Sequence, residues 1–313
     1  MEVQQRPVIL VGAGALGILF GQRLTAAYGT DRVAFAADPA RAERYRAAQF
    51  RCNGKPCVFR FLDDMAHAPE AGMILFAVKA GGLRAAAELV RPLVDRETVL
   101  ISLLNGVSSE GIIGEICGTE GLLYCVAKGM DAVREGTVLR YTTPGVLLLG
   151  ERDDRPSRRL SAVVDLLRGA DIPCEVPEHI LWSQWSKLMV NTGVNQTCAL
   201  YNVPYGGVQA PGEARDTMIA AMEEVRAVAA PEGIRLTGQD LREWLTVIDG
   251  FGPEQMPSMR QDVLAGRPTE VDLFAGTIRA LGRKHGVPTP VNDRLYDGIR
   301  AIEGQHISFF GDR

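Results

Sequence analysis

The stretch PVILVGAGALGILFGQRLTAAYG, residues 7–29, decides the fold of the N-terminal half. Val8 to Val11 form the continuous apolar run expected of a strand covered on both faces. A glycine turn follows at once, and a helix is predicted from about Ala15 to the neighbourhood of Gly29. The turn is GxGxxG, with Gly12, Gly14 and Gly17 at its fixed points and Ala13, Ala15 and Leu16 between them. Each glycine has a physical task. Gly12 makes the tight turn, Gly14 lets a pyrophosphate approach the backbone, and Gly17 lets helix and strand pack closely. The N–H groups at the helix start then face the anion. A lone GxGxxG is weak evidence, but here a strand precedes it and a helix follows. A second strand, Arg32 to Ala37, ends in Asp38, 21 residues beyond Gly17. Together these features predict a Rossmann-like dinucleotide site.

An acid in the place of Asp38 bonds both ribose hydroxyls and repels a 2′-phosphate, which favours NADH over NADPH. Asp38-Pro39 is equally a helix cap, and Arg41, Arg44 and Arg46 suit a phosphate site as well as a solvated helix face. Another strand, Met73 to Val78, ends at Lys79 near the carboxyl edge of the sheet, where ligands bind in open α/β folds. The strand in ETVLISLLNGV ends in Asn105-Gly106, a good turn in itself and a place where a nicotinamide ribose or a substrate would be met. Between Leu122 and Gly150, alternation and turn signals predict an antiparallel extension of the sheet. The helix Leu160 to Gly169 and a last strand near Cys174 to Val176 complete this half.

Length and composition set the outer limits. A chain of 313 residues, 46% hydrophobic and 23% charged, has room for two cores and the balance of a globular protein. Its net charge of −4 gives no basic footprint for nucleic acid. Cys52, Cys57, Cys117, Cys125, Cys174 and Cys198 lack CxxC spacing, so neither a zinc site nor a redox motif is indicated, and buried thiols in a reducing compartment are expected. MEVQQRPVILVGAGALG has no basic start or small-residue cleavage site, and no apolar stretch approaches the roughly 20 residues of a membrane span. Cytoplasm is the expected location, and a homodimer is the commonest arrangement among soluble oligomers.

From about Glu178 the periodicity becomes helical, over Ile180 to Tyr201, Pro211 to Glu232, Gly238 to Phe251, Val271 to His285 and Pro290 to Gly304. The fold class is therefore α/β: a Rossmann-like dinucleotide-binding domain over 1–177, followed by an all-helical domain over 178–313. Two stretches of the second half carry chemistry. In WSKLMVNTGVN (185–195), Lys187, Asn191 and Asn195 fall four residues apart on one face of an otherwise apolar helix. Such a stripe is either solvated or a binding face. In MPSMRQDVLAGRPTEVD (256–272), Ser258 and Glu270 stand twelve residues apart. Thr269 reads as an N-cap with Asp272 as its capping-box partner, which would place Glu270 in a first helical turn, compensating the dipole.

With these residues in view, the sequence resembles the ketopantoate reductase (2-dehydropantoate 2-reductase) family over almost its whole length. The shared motifs are GAGALG at 12–17, VKA at 78–80, NGV at 105–107, WSKLMVN with Asn195 at 185–195, SMRQDVLAGRPTEVD at 258–272 and the terminal KHGVPTP. The resemblance implies reduction of ketopantoate to D-pantoate by hydride from NADPH or NADH, in pantothenate biosynthesis. It implies Lys187 as general acid and Glu270 in substrate hydroxyl binding and catalysis. Asn191, Asn195 and Ser258 match substrate contacts, Asn105 the cofactor–substrate junction, and Lys79 a cofactor contact.

The chemistry suits these residue types. Hydride arriving at a ketone carbon builds negative charge on its oxygen, and an ammonium aimed there stabilises that charge and donates the proton. Two departures stand out. Family members commonly carry arginine where this chain has Asp38, and many carry proline where it has Gln196, followed by Thr197. Rival expectations are a D-2-hydroxyacid dehydrogenase that reduces another branched 2-keto acid with NADH, and a dinucleotide sensor without turnover.

Overall fold

The computed structural model describes the backbone of residues 3–310 and the side chains of residue 3 and residues 5–304. The chain divides into two compact units, Met1–Ser183 and Gln184–Arg313.

The strands of the first unit are β1 (Val8–Val11), β2 (Val33–Ala36), β3 (Arg51–Cys52), β4 (Lys55–Pro56), β5 (Arg60–Leu62), β6 (Met73–Phe76), β7 (Val99–Ser102), β8 (Leu122–Met130), β9 (Val133–Glu135), β10 (Val138–Arg140), β11 (Pro144–Gly150) and β12 (Cys174–Glu175). Eight of them form one sheet in the order β12-β11-β8-β7-β6-β1-β2-β5. Neighbours from β5 to β8 run parallel, and the chain order reverses between β1 and β6. That is the doubly wound order, with its ligand crevice at the reversal.

The apolar runs are explained by cover on both sides. Val8, Leu10, Phe35, Leu75 and Ile101 join one core with Ile18, Phe20 and Leu24 of helix α1 (Ala15–Tyr28). The alternate residues Ile9, Val11, Ala36, Ile74 and Leu100 join a second with Leu83, Ala87 and Val90 of a later helix, Leu83–Val90. Burying each of the larger side chains contributes about 1.5–3 kcal/mol.

The expected antiparallel extension is present as β8 paired with β11, and β12 then runs parallel to β11. Its middle needs correction. Residues 133–140 do not extend that sheet but build a separate four-stranded one in the order β4-β3-β10-β9. Asn53, at φ 47° beside Gly54 at φ 79°, turns the chain between β3 and β4. Its side chain then holds the backbone of Tyr141 through both a donor (3.0 Å) and an acceptor (2.9 Å).

The second unit centres on the helix Glu213–Ala229, whose Met218, Ala221, Met222, Val225, Val228 and Ala229 are fully buried. Two helices expected to be continuous are not. Ile180 to Tyr201 comprises an α-helix (Ile180–Val190), a π turn (Asn191–Asn195) and a further α-helix (Gln196–Leu200). Val271 to His285 likewise opens with a π turn, Asp272–Gly276, before the α-helix Thr277–His285. The first π turn lies where Gly193 brings the chain against the central helix, since a Cβ there would stand 2.5 Å from Met222 Cγ and 3.0 Å from Met218 O. The last helix, Pro290–Phe310, is anchored by Glu224, whose carboxylate accepts from the N–H groups of Val291 (2.8 Å) and Asn292 (2.9 Å) in its first turn.

The six cysteines are all unbridged. Among the described residues, no helix is long and apolar enough to cross a membrane, and no group of three or more His, Cys, Asp or Glu is placed to hold a metal ion.

Candidate active site

The glycine turn sits at the carboxyl end of β1, against Ala77 and Val78 at the end of β6. Gly12 has φ +99°, and a Cβ on it would stand 2.7 Å from Ala77 O and 2.8 Å from Val78 Cγ1. A Cβ on Gly17 would stand 1.9 Å from Gly12 O, so only glycine lets α1 come this close to the turn. At Gly14 a Cβ would meet only Ala77 O, at 3.3 Å, which leaves the other approaches open. No side chain caps α1, and its first turn carries no acid. Backbone donors with the positive end of the helix dipole behind them suit a pyrophosphate in both shape and charge.

Around this cradle, Lys79 is exposed just past β6, and Asn105 is half-buried just past β7 beside Gly106 at φ +91°. Asp38 caps the helix Pro39–Ala47: its Oδ1 accepts from the Arg41 N–H at 2.9 Å, and Arg41 Nε lies 3.5 Å from Oδ2. The capping reading of Asp38 is realised, and the carboxylate remains half-exposed. Glu110, which the sequence did not bring forward, is a carboxylate only 3% exposed near the Asn105-Gly106 turn, and it accepts from Ser109 Oγ at 2.9 Å.

In the second unit, three of the expected residues come together. Asn195 Nδ2 donates to Asn191 Oδ1 at 3.2 Å, and Ser258 Oγ lies 3.4 Å from Asn195 Oδ1. Because both amide oxygens accept, the relay runs one way and ends with the amide N–H donors of Asn191, one turn from Lys187. The stripe is no solvated face. Lys187 and Asn191 are half-buried, Asn195 is 6% exposed, and Trp185, Leu188, Met189 and Val190 are buried. Trp244, absent from the sequence reading, donates its indole N–H to Ser186 Oγ at 2.8 Å, beside Lys187.

Glu270 is half-buried, and its carbonyl accepts from Leu273 (2.9 Å) and Phe274 (3.2 Å) at the start of the second π turn. The capping box expected at Thr269 and Asp272 does not form. Asp272 Oδ1 accepts from Tyr296 OH at 2.9 Å and Oδ2 from Arg300, while the Thr269 N–H goes to Glu303 Oε1 at 2.7 Å. Partners from the last helix capture both groups, and Thr269 Oγ1 accepts from Val271 N–H, at 3.3 Å. A capping box does form at Thr237 and Asp240.

Burial favours the neutral form of two titratable groups in this unit. Burial, opposed by Arg260, pushes the Cys198 thiol up to about 12. Burial, aided by Cys198, takes the Tyr205 hydroxyl up to about 12.

A doubly wound sheet with a glycine cradle at its reversal, followed by a helical unit, defines a Rossmann-type α/β protein. The chain belongs to the ketopantoate reductase family. Residues 8–154 match the family described as ketopantoate reductase PanE/ApbA, and residues 179–303 match its C-terminal counterpart. The 2-dehydropantoate 2-reductase of Vibrio cholerae is 30% identical over 246 residues, which is 77% of this chain and 80% of that protein. The Salmonella typhimurium enzyme of the same name is 26% identical over 234 residues, 75% of each chain. Among solved structures, a PanE/ApbA family ketopantoate reductase from Ralstonia eutropha matches with a TM-score of 0.83 at 26% identity, over 96% of this chain and 99% of that one. A ternary complex of D-mandelate dehydrogenase with NADH and anilino(oxo)acetate matches with a TM-score of 0.81 at 25% identity, over the same shares.

Proposed function

We propose that this protein reduces ketopantoate to D-pantoate with a nicotinamide dinucleotide, in the cytoplasm, as a step of pantothenate biosynthesis. The observation that carries the reading is the joined set Asn191, Asn195 and Ser258 one turn from Lys187. Family membership supplies the reaction. The turn Gly12 to Gly17 would hold the pyrophosphate, with Asp38, Lys79 and Asn105 along the cofactor, whose reduced nicotinamide supplies a hydride when bound.

The protein's own residues do the rest. Asn191, Asn195 and Ser258 orient the substrate carboxylate and hydroxyl without adding net charge. Lys187 stabilises the charge growing on the ketone oxygen and gives it a proton. Glu270 accepts from the substrate hydroxyl. Neutral holders suit this task, since tighter ground-state binding alone does not raise turnover.

A second reading is reduction of another branched 2-keto acid with NADH, favoured by Asp38 and by the likeness to D-mandelate dehydrogenase. Steady-state rates for ketopantoate and a panel of branched 2-keto acids, each with NADH and NADPH, decide between them. Ketopantoate is expected to give the highest kcat/KM; negligible turnover of it beside rapid reduction of another acid would reject the first reading. A sensor without turnover is rejected if Lys187→Ala and Glu270→Ala each abolish a measured reductase rate. A homodimer is the expected assembly, checked by sedimentation velocity.

A further inference from the structure

Gln196 is fully buried immediately after the Lys187, Asn191, Asn195 column. Its side-chain amide makes three contacts. Nε2 donates to Thr192 O at 2.7 Å, inside the first π turn. Oε1 accepts from the Ala275 N–H at 2.9 Å, inside the second. Nε2 also lies 3.4 Å from Asn292 Oδ1, and Asn292 Nδ2 donates at 2.8 Å to Glu224, which anchors the last helix.

The contact at Ala275 falls where the helix ladder slips. Phe274 N–H bonds to Glu270 O, four residues back, whereas Gly276 N–H bonds to Val271 O, five back. The Ala275 N–H that this step passes over is the one Gln196 accepts. The amide orientation is fixed by its partners, since only oxygen can meet an N–H and only nitrogen can meet a carbonyl. The two π turns also pack directly on each other. One carries Asn191 and Asn195. The other begins two residues after Glu270.

We propose that Gln196 is a positioning residue: its buried amide locks the Glu270 segment to the Lys187, Asn191, Asn195 column and so sets how the keto acid is held. The proline that the resemblance implies for many relatives at this place has no side-chain amide to give. The inference rests on the reductase reading for its kinetic consequence but not for the lock itself.

The test pairs Gln196→Met, which keeps the volume and removes both polar contacts, with Gln196→Glu, which keeps an oxygen for Ala275. Hydrogen exchange by mass spectrometry on the full-length protein reads the lock directly. In Gln196→Met the segments 191–195 and 272–276 are expected to exchange faster, while the central helix Glu213–Ala229 keeps its protection. In Gln196→Glu the 272–276 segment is expected to lose less. Kinetically, kcat/KM for the keto acid is expected to fall about tenfold or more in Gln196→Met, with KM for the nicotinamide substrate unchanged.

Unchanged exchange in both segments overturns the proposal. So does altered exchange with kcat/KM for the keto acid held within twofold, or an equal rise in both KM values. Loss of the fold in both variants assigns Gln196 to stability alone and overturns it as well. If the wild-type protein reduces no 2-keto acid, the reductase reading fails, and the exchange result still decides the lock.

Discussion

At the scale of single residues, Asp38 shows one side chain open to two tasks. Its carboxylate caps a helix through the Arg41 N–H, and it lies two residues past β2, where the proposed cofactor site would meet a ribose. Two substitutions separate the tasks. Asp38→Asn keeps an N-cap oxygen and removes the charge, so stability is expected to hold while the NADPH-to-NADH ratio of kcat/KM rises. Asp38→Ala should raise that ratio too and also lose about 1 kcal/mol in urea denaturation. An unchanged ratio in both variants removes the charge argument for NADH. For Lys187→Ala, kcat is expected to fall by about 10²–10⁴-fold, with cofactor affinity by fluorescence titration unchanged. The sequence made these residue types legible because few patterns place an ammonium and two amides on one apolar face. It did not show that Ser258, 63 residues away, donates to Asn195, because that contact depends on how the second unit folds.

Elements were legible where one period governs a whole segment. β1 and β6 are continuous apolar runs, β7 is apolar up to Ser102, and each is buried at every position. The π turns were not, since one extra residue in a helix leaves too little trace in a 3.6-residue pattern. The misplaced capping box has a different cause. Thr269 and Asp272 have the right spacing, but the chemistry at 296, 300 and 303 claims them, and local sequence carries no record of that competition. At the glycine cradle the expected outcome is severe: Gly17→Ala should destabilise by about 1–3 kcal/mol and abolish dinucleotide binding by calorimetry, because its Cβ would meet Gly12 O at 1.9 Å. Wild-type affinity in that variant would reject the assigned role of the close approach.

Over the whole molecule, ionised carboxylates help to stabilise each unit from within. Glu151 is held below its ordinary 4.5: burial pushes it up, and hydrogen bonds from Arg159 and Ser157 more than offset that. Asp95 is likewise below 3.8, with burial outweighed by Arg6, Thr98 and the Glu97 N–H. Glu232 is lowered from 4.5 by hydrogen bonds from Lys284 and His285. A carboxylate with a depressed folded pKa stabilises fully above its unfolded value and loses that contribution as pH falls through the folded one. Urea midpoints are therefore expected to hold from about pH 7 to 5 and to fall below about 4.5. Glu151→Gln should lower the midpoint at neutral pH and shrink the acid drop. A midpoint indifferent to acid would contradict this assignment. At this scale the sequence passes from strand to helical periodicity near residue 177, and the two compact units divide after Ser183. The separate small sheet was hidden, because β3 and β10 pair across more than eighty residues and each is only two or three residues long.

The two π turns also set a limit on engineering this protein for robustness. Each is in effect a one-residue insertion in a helix. Deleting a residue from 191–195 would restore a regular ladder, and a purely local stability criterion would approve the repair. The deletion would also rotate everything on one side of it by about 100° relative to the other. Asn195 and Gln196 would then leave their partners at Ser258 and Ala275. The irregularity is thus part of the protein's specification, and a more perfect helix here would be a different molecule.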